Sequence, residues 1–270
     1  MKVKPSTRIM GILNVTPDSF SDGGHFSSLK DALHQAERLV SEGADILDIG
    51  GESTRPFATP VTAKEELQRV IPVIKGIRDK HAIPISIDTS KAVVAREALR
   101  AGADIINDIS ALQKDPQMIS LVQQTAVPVI IMHMQGKPDD MQINPEYQDV
   151  TGEILTFFRE RIAWIKEKGV DSGRIIIDPG IGFGKSLQHN LSLLKNIAKF
   201  TSLGTPVLLG HSRKRFLGDI TGIAPEGERD LASAIVSAIC CQEDIAIVRV
   251  HNVAATRQAL LIAEAISSAA

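Results

Sequence analysis

The sequence predicts a (β/α)8 barrel, a TIM barrel, occupying a single domain over residues 1–270. Three observations carry that expectation. Eight short apolar runs rich in β-branched residues alternate with longer amphipathic segments, the pattern of parallel strands buried on both faces. The chain has 270 residues, a length that eight β–α units fill as one barrel. The turn after the first run is Asn14-Val15-Thr16-Pro17, whereas an open doubly wound sheet would usually place a glycine-rich turn there.

Strands are expected at 9–15, 46–50, 83–88, 105–109, 127–132, 175–178, 207–210 and 246–250. Helices are expected to begin near Ser28, Ala63, Lys91, Pro116, Val150, Leu187, Glu228 and Ala254. Ser28, and Thr62 followed three residues later by Glu65, read as helix caps. Gly43-Ala44-Asp45 and Gly102-Ala103-Asp104 each read as a helix stopped at glycine just before a strand. Lys+Arg 30 against Asp+Glu 32 leaves a net charge of -2, so no basic excess points to nucleic acid. No apolar run approaches the ~20 residues that span a bilayer, and residues 1–8 lack the apolar core of a secretory signal. Cys240 and Cys241 are adjacent, which matches neither metal nor disulfide spacing. A cytoplasmic protein with no membrane partner is expected.

A barrel of this kind presents its chemistry at the carboxyl ends of the strands. Those ends carry Asn14, then Glu52-Ser53-Thr54-Arg55, Asp88-Thr89-Ser90, Asn107-Asp108, His133, Asp178, Ser212-Arg213-Lys214, and Arg249 with His251. Any one of them can be explained as a cap or a turn hydrogen bond, and Ser90 and Asp108 are read that way. Eight together exceed what a rim needs for capping.

Asn14 and nearby carboxylates offer hard oxygen ligands of the kind that suit Mg²⁺ with substrate phosphates. Arg55, Arg249 and His251 outline a phosphate or diphosphate pocket. For Arg55 the other reading is a surface ion pair. Asp88, Asn107 and Asp178, with Lys214 beside them, match a flat heterocycle with an amino-pyrimidinone edge, on whose face Arg249 can stack. For Asp88 and Asp178 the capping reading stays equally open. Two motifs fail on spacing. Gly184-Lys185-Ser186 ends like a P-loop, but Pro179 stands where the first glycine is required, and the glycines at 180, 182 and 184 do not fit a dinucleotide fingerprint.

The segments 14–24 (NVTPDSFSDGG), 50–56 (GGESTRP), 86–90 (SIDTS), 107–111 (NDISA), 132–136 (MHMQG), 178–185 (DPGIGFGK), 212–218 (SRKRFLG) and 249–251 (RVH) resemble, in order and over nearly the whole chain, the dihydropteroate synthase family. The resemblance implies a transferase that joins 7,8-dihydropterin-6-ylmethyl diphosphate to 4-aminobenzoate, releasing pyrophosphate by an SN1-like path. By motif position Asp88, Asn107, Asp178, Lys214 and Arg249 would hold the pterin. Thr54, Arg55, Arg249, His251 and Asn14 would hold the diphosphate, with Asn14 on Mg²⁺. Phe20, Pro56, Phe183, Ser212 and Lys214 would surround aminobenzoate, and Asp22, Arg55 and Lys214 would be catalytic. Phe20 and Asp22 would ride a mobile first loop, residues 19–24, that closes over the site. Phe57 follows Pro56, where the family commonly has glycine. A homodimer through the late helices is implied as well. A methyltetrahydrofolate-dependent methyltransferase on the same barrel and a catalytically silent pterin-binding homologue are the alternatives; the first has no use for the Asn14 loop, Arg55 or Lys214.

Overall fold

The computed structural model describes residues 7–16, 25–53, 60–136, 141 and 144–269. Its strands are β1 (Arg8–Asn14), β2 (Ile46–Gly50), β3 (Ile85–Asp88), β4 (Ile105–Asp108), β5 (Val129–Met132), β6 (Ile175–Asp178), β7 (Leu208–Leu209) and β8 (Ile247–Val250). All pair in parallel, in the order β6-β5-β4-β3-β2-β1-β8-β7. A bridge between Ile177 and Val207 joins the two ends of that order, so the sheet closes into the expected barrel. The helices are α1 (His25–Glu42), α2 (Ala63–Arg78), α3 (Ala92–Ala101), α4 (Pro116–Gln124), α5 (Val150–Glu167), α6 (Leu187–Lys195), α7 (Ala198–Thr201), α8 (Arg215–Thr221), α9 (Asp230–Cys240) and α10 (Val253–Ser267).

Two apolar layers result from the strand period of two. Outward-facing residues such as Ile9, Leu47, Ile87, Ile106, Ile131, Ile177 and Val248 pack with the helices in one large core. Inward-facing Met10, Ile46, Ile105, Ile130, Ile176, Leu208 and Ile247 form a separate plug inside the barrel. Two residues further along each strand, on the same inner face, stand Ile12, Asp48, Asn107, Met132, Asp178, Gly210 and Arg249. The plug closes the bottom of the barrel, and the polar groups sit directly above it.

Strand boundaries differ from expectation at prolines. β3 and β5 begin after Pro84 and Pro128, and β7 after Pro206 and Val207. Proline has no N–H to donate into a ladder, but its carbonyl still serves: Leu47, Ile106 and Ile177 donate to the carbonyls of Pro84, Pro128 and Pro206 at 3.0, 3.1 and 2.9 Å. Ser28 lies inside α1 (His25–Glu42) and is not its cap. Thr62 and Glu65 do form a reciprocal capping box.

The twin Gly-Ala-Asp segments perform one job. Each glycine has a positive φ, 100° at Gly43 and 113° at Gly102. Each aspartate then caps the preceding strand: Asp45 Oδ2 accepts from the Ile9 N–H at 3.0 Å, and Asp104 Oδ2 from the Ile85 N–H at 2.8 Å. Asp104 also pairs with Arg78 at 2.6 Å. Both acids lie at the amino end of the barrel. Asp104→Ala should therefore cost about 1–3 kcal/mol of stability by urea unfolding, while leaving the kinetic constants of the reaction proposed below unchanged.

Candidate active site

The floor of the barrel mouth is held by a buried ion cluster. Arg249, projecting inward from β8, donates from Nε to Asp48 Oδ2 at 2.6 Å and from Nη2 to Asp88 Oδ2 at 2.8 Å. Asp48 is fully buried. Burial opposes a charged guanidinium, but Asp48 and Asp88 outweigh it and hold Arg249 firmly protonated. Burial raises the Asp88 carboxyl to about 7 against the pull of Arg249, with Asp48, Glu66 and Asp108 adding to the rise. Asn107, the register partner of Asp88 on β4, points its amide nitrogen at both Asp48 oxygens, 3.3 and 3.4 Å away.

Asp178 closes the opposite side. Its Oδ1 accepts from Gly180 N–H at 2.7 Å, so the capping role is real. Its Oδ2 faces Gly210, where a Cβ would stand 3.2 Å away. The cap uses one carboxylate oxygen and leaves Oδ2 on the Gly210 side. Burial raises its pKa, against the Gly180 hydrogen bond and the charges of Arg249, Lys214 and Lys185.

The glycines after Asp178 serve close packing. A Cβ on Gly180 would fall 1.9 Å from the His133 carbonyl, and one on Gly182 would fall 2.9 Å from Lys214 Cδ. That second gap lets the Lys214 stem lie across the turn and set its ammonium 3.8 Å from the centre of the Phe183 ring. Burial, then the charge of Arg249, lower Lys214 to about 8 against the pull of Asp178 and Asp88. Lys185, the apparent P-loop lysine, is buried and turned inward. It donates to the Phe183 carbonyl at 2.9 Å, to the His133 carbonyl at 3.4 Å, and meets His133 Nδ1 at 3.2 Å. Burial brings Lys185 to about 7. Burial, then the charge of Lys185, bring His133 to about 3, so the imidazole is neutral and accepts from the lysine.

Ser212 and His251 form a pair across β7 and β8. Ser212 Oγ accepts from the His251 N–H at 3.1 Å and lies 3.0 Å from His251 Nδ1. Burial, then Arg213, Arg249 and Lys214, lower His251 to about 3. In the tautomer whose Nδ1 accepts from the serine, Nε2 carries the proton and is a donor. The intervening Arg213 is taken by Asp230, at 2.6 and 2.9 Å.

Asn14 ends β1 with its Oδ1 beside Gly50; a Cβ there would be 3.6 Å from that oxygen and from the Asp88 side chain. One amide oxygen in this position fits a hard cation that keeps water and takes its other ligands from a substrate.

The structure thus brings together Asp88, Asn107, Asp178, Lys214, Arg249, Phe183, Ser212, His251 and Asn14. Thr54, Arg55, Pro56 and Phe57, and Phe20 and Asp22 with the 19–24 cover, lie outside the described residues. Asp108 is a turn residue as expected: it accepts from Ser110 N–H, Ser110 Oγ and Leu112 N–H. Glu52, counted among the strand-end groups, binds Lys91 at 2.9 Å and the Val61 N–H at 3.0 Å. Sequence reasoning missed Asp48 and Lys185. Asp48 had a signal: an acid at the centre of the apolar run Ile46–Gly50, on the same face as Ile46. A shallow groove of about 1180 Å³ beside Tyr147, Asp149, Glu153 and His189 is lined by none of the strand-end groups.

The family model described as "Pterin binding enzyme" matches residues 10–251. A dihydropteroate synthase of Haemophilus influenzae is 48% identical over 262 residues, covering 97% of this chain and 94% of that protein. Among solved structures, a Xanthomonas albilineans dihydropteroate synthase with 4-aminobenzoic acid superposes with a TM-score of 0.93 at 46% identity, over 98% of this chain and 94% of that one. The same organism's enzyme in complex with 7,8-dihydropteroate gives a TM-score of 0.89 at 43% identity, over 98% and 95%.

The raised Asp88 carboxyl has a measurable consequence. Between the ordinary carboxyl value of 3.8 and about 7, the native state holds a proton that the unfolded chain has released. Stability should therefore fall as pH rises through that window. Asp88→Asn removes this titration. Urea unfolding from about pH 4.5 to about pH 7 should show wild type losing stability relative to the variant; a pH-independent difference would contradict the assignment.

Proposed function

The chain belongs to the pterin-binding enzyme family, among the dihydropteroate synthases, and we propose that it joins 7,8-dihydropterin-6-ylmethyl diphosphate to 4-aminobenzoate, giving 7,8-dihydropteroate and pyrophosphate. The observation that carries this reading is the convergence of Asp88, Asn107, Asp178, Lys214 and Arg249 above the barrel plug. Buried carboxylates cost several kcal/mol unless donors reach them, and a pterin brings a ring N–H and an exocyclic amine to the free oxygen of Asp178. Asn107 reads another edge of the ring. Lys214, with a pKa near 8, donates to the ring from its place over Phe183, and Phe183 offers its other surroundings to the flat aminobenzoate.

The chemistry follows from charge. The bond that breaks joins the pterin methylene carbon to a diphosphate oxygen, and the electron pair leaves with pyrophosphate. The bond that forms joins that carbon to the aminobenzoate nitrogen, which then releases a proton. An aniline is a weak nucleophile, so departure leads and attack follows. Arg249 and the Nε2–H of His251 stabilise charge on the departing group; Thr54 and Arg55 would add to this from the second loop. Asp22 would stabilise positive charge on the carbon. Asn14 would hold Mg²⁺, which when bound neutralises the leaving diphosphate.

A homodimer belongs to the same proposal. Leu231, Ile235 and Ile239 form an exposed apolar row at helical spacing on α9, and Ile262 and Ile266 extend it on α10, which packs against α9. A cytoplasmic location is supported by two free thiols, Cys240 and Cys241. Among the described residues no helix is long and apolar enough to cross a membrane.

Purified protein with Mg²⁺ and both substrates should release pyrophosphate and dihydropteroate together; no dihydropteroate under those conditions would overturn the assignment. In sedimentation, wild type should run as a dimer and Ile235→Asp as a monomer.

A further inference from the structure

Asp48 is an expensive residue to place in a barrel interior. It sits on β2 one layer above the plug residue Ile46, with Ile12 of β1 and Ser86 of β3 as its register partners. It is fully buried. An apolar side chain would fill this position at less cost, since a buried ion pair rarely outdoes well-packed apolar groups in stability. The described hydrogen bonds of the Asp48 side chain run to two residues, Arg249 and Asn107, and both belong to the pocket assigned to the pterin.

We propose that Asp48 is a positioning residue for that pocket, fixing the guanidinium plane of Arg249 and the amide orientation of Asn107 without touching the substrate. The inference rests on the reading of this site as a pterin pocket.

The two effects have separate physical causes. The guanidinium is a rigid planar fork. With Nε held by Asp48 and Nη2 by Asp88, two anchors fix its plane and leave Nη1 and the ring-like face for a ligand. Removing Asp48 leaves a single anchor about which the fork can turn. The second effect concerns polarity. An asparagine amide can present either its oxygen or its nitrogen in nearly the same shape. A carboxylate only accepts, so the Asn107 NH2 must face Asp48, and the Asn107 oxygen faces the mouth as an acceptor. Asp48 thereby commits this edge of the site to a ligand N–H donor. An asparagine at 48 can donate or accept, so it would release Asn107 to take either orientation.

Asp48→Asn keeps the volume and removes the charge and the acceptor-only character. The test compares wild type and D48N in the two-substrate assay with Mg²⁺, alongside thermal unfolding. The expected result is a KM for the pterin diphosphate raised about tenfold or more, with the KM for 4-aminobenzoate changed less than about twofold. A purely structural role would lower Tm and move both KM values together. A folded D48N with an unchanged pterin KM, or with both KM values rising in parallel, would overturn the proposal. Should D48N not fold, D48N/R249Q, which neutralises both partners, is compared with R249Q by calorimetric binding of the pterin diphosphate. The double variant should still bind several-fold more weakly than R249Q, because Asn107 loses its fixed orientation whether or not the guanidinium is present; binding equal to that of R249Q would overturn the proposal. Wild type that fails to make dihydropteroate at all would sink the functional reading, whereas active wild type with an indifferent D48N would sink this inference alone.

Discussion

The interaction on which the site depends is the buried Asp48–Arg249–Asp88 cluster. Three strands contribute to it, β2, β3 and β8, and each brings its residue in on the inner face of the barrel. One guanidinium sits between two acids, of which Asp88 is pushed up to about 7 by burial. Asp178 adds a third acid, and Lys214 and Lys185 return positive charge from the loops above. A site with this many opposed, buried charges stores electrostatic sensitivity: Asp88 near 7, Lys214 near 8 and Lys185 near 7 are all displaced toward neutrality by burial. A charged or strongly polar ligand entering such a site meets groups that are already oriented, which is the condition under which dipoles and charges act without reorganising.

The arrangement is economical in sequence. Strand alternation alone places Ile46 in the plug and Asp48 on the floor, Ile105 in the plug and Asn107 on the floor, Ile176 below and Asp178 above, Ile247 below and Arg249 above. The apolar member of each pair secures the strand, and the polar member two residues on reaches the floor of the barrel mouth. The opposite end of the barrel uses acids differently: Asp45 and Asp104 cap strands and never face the mouth. Carboxylates of the same type thus cap strands at one end of the barrel and line its mouth at the other.

Much of this was legible in the chain. The eight apolar runs, the twin Gly-Ala-Asp stops and the Thr62–Glu65 box are local signals, and local signals fix element type and order. Strand ends were less legible, because Pro84, Pro128 and Pro206 continue an apolar run while removing the N–H that a ladder needs. The strand-end groups were visible because each marks an abrupt change from apolar to polar. Asp48 was harder to read: an acid inside an apolar run stands out, but only barrel closure shows that its face looks inward. Lys185 was hidden for another reason: its motif resembles a phosphate loop, and only the packing of Gly180 and Gly182 against His133 and Lys214 reveals what the glycines are for. The single-oxygen division of Asp178, one side capping and one side open, also needs three dimensions.

The central claim is that the floor is set before the substrate arrives. Crystal structures of the protein alone and with dihydropterin diphosphate bound test it directly. The account predicts that Arg249 Nε stays within hydrogen-bonding distance of Asp48 in both, and that the Asn107 oxygen accepts from the ligand. An Arg249 that leaves Asp48 to follow the ligand, or an Asn107 that offers its NH2, would contradict it.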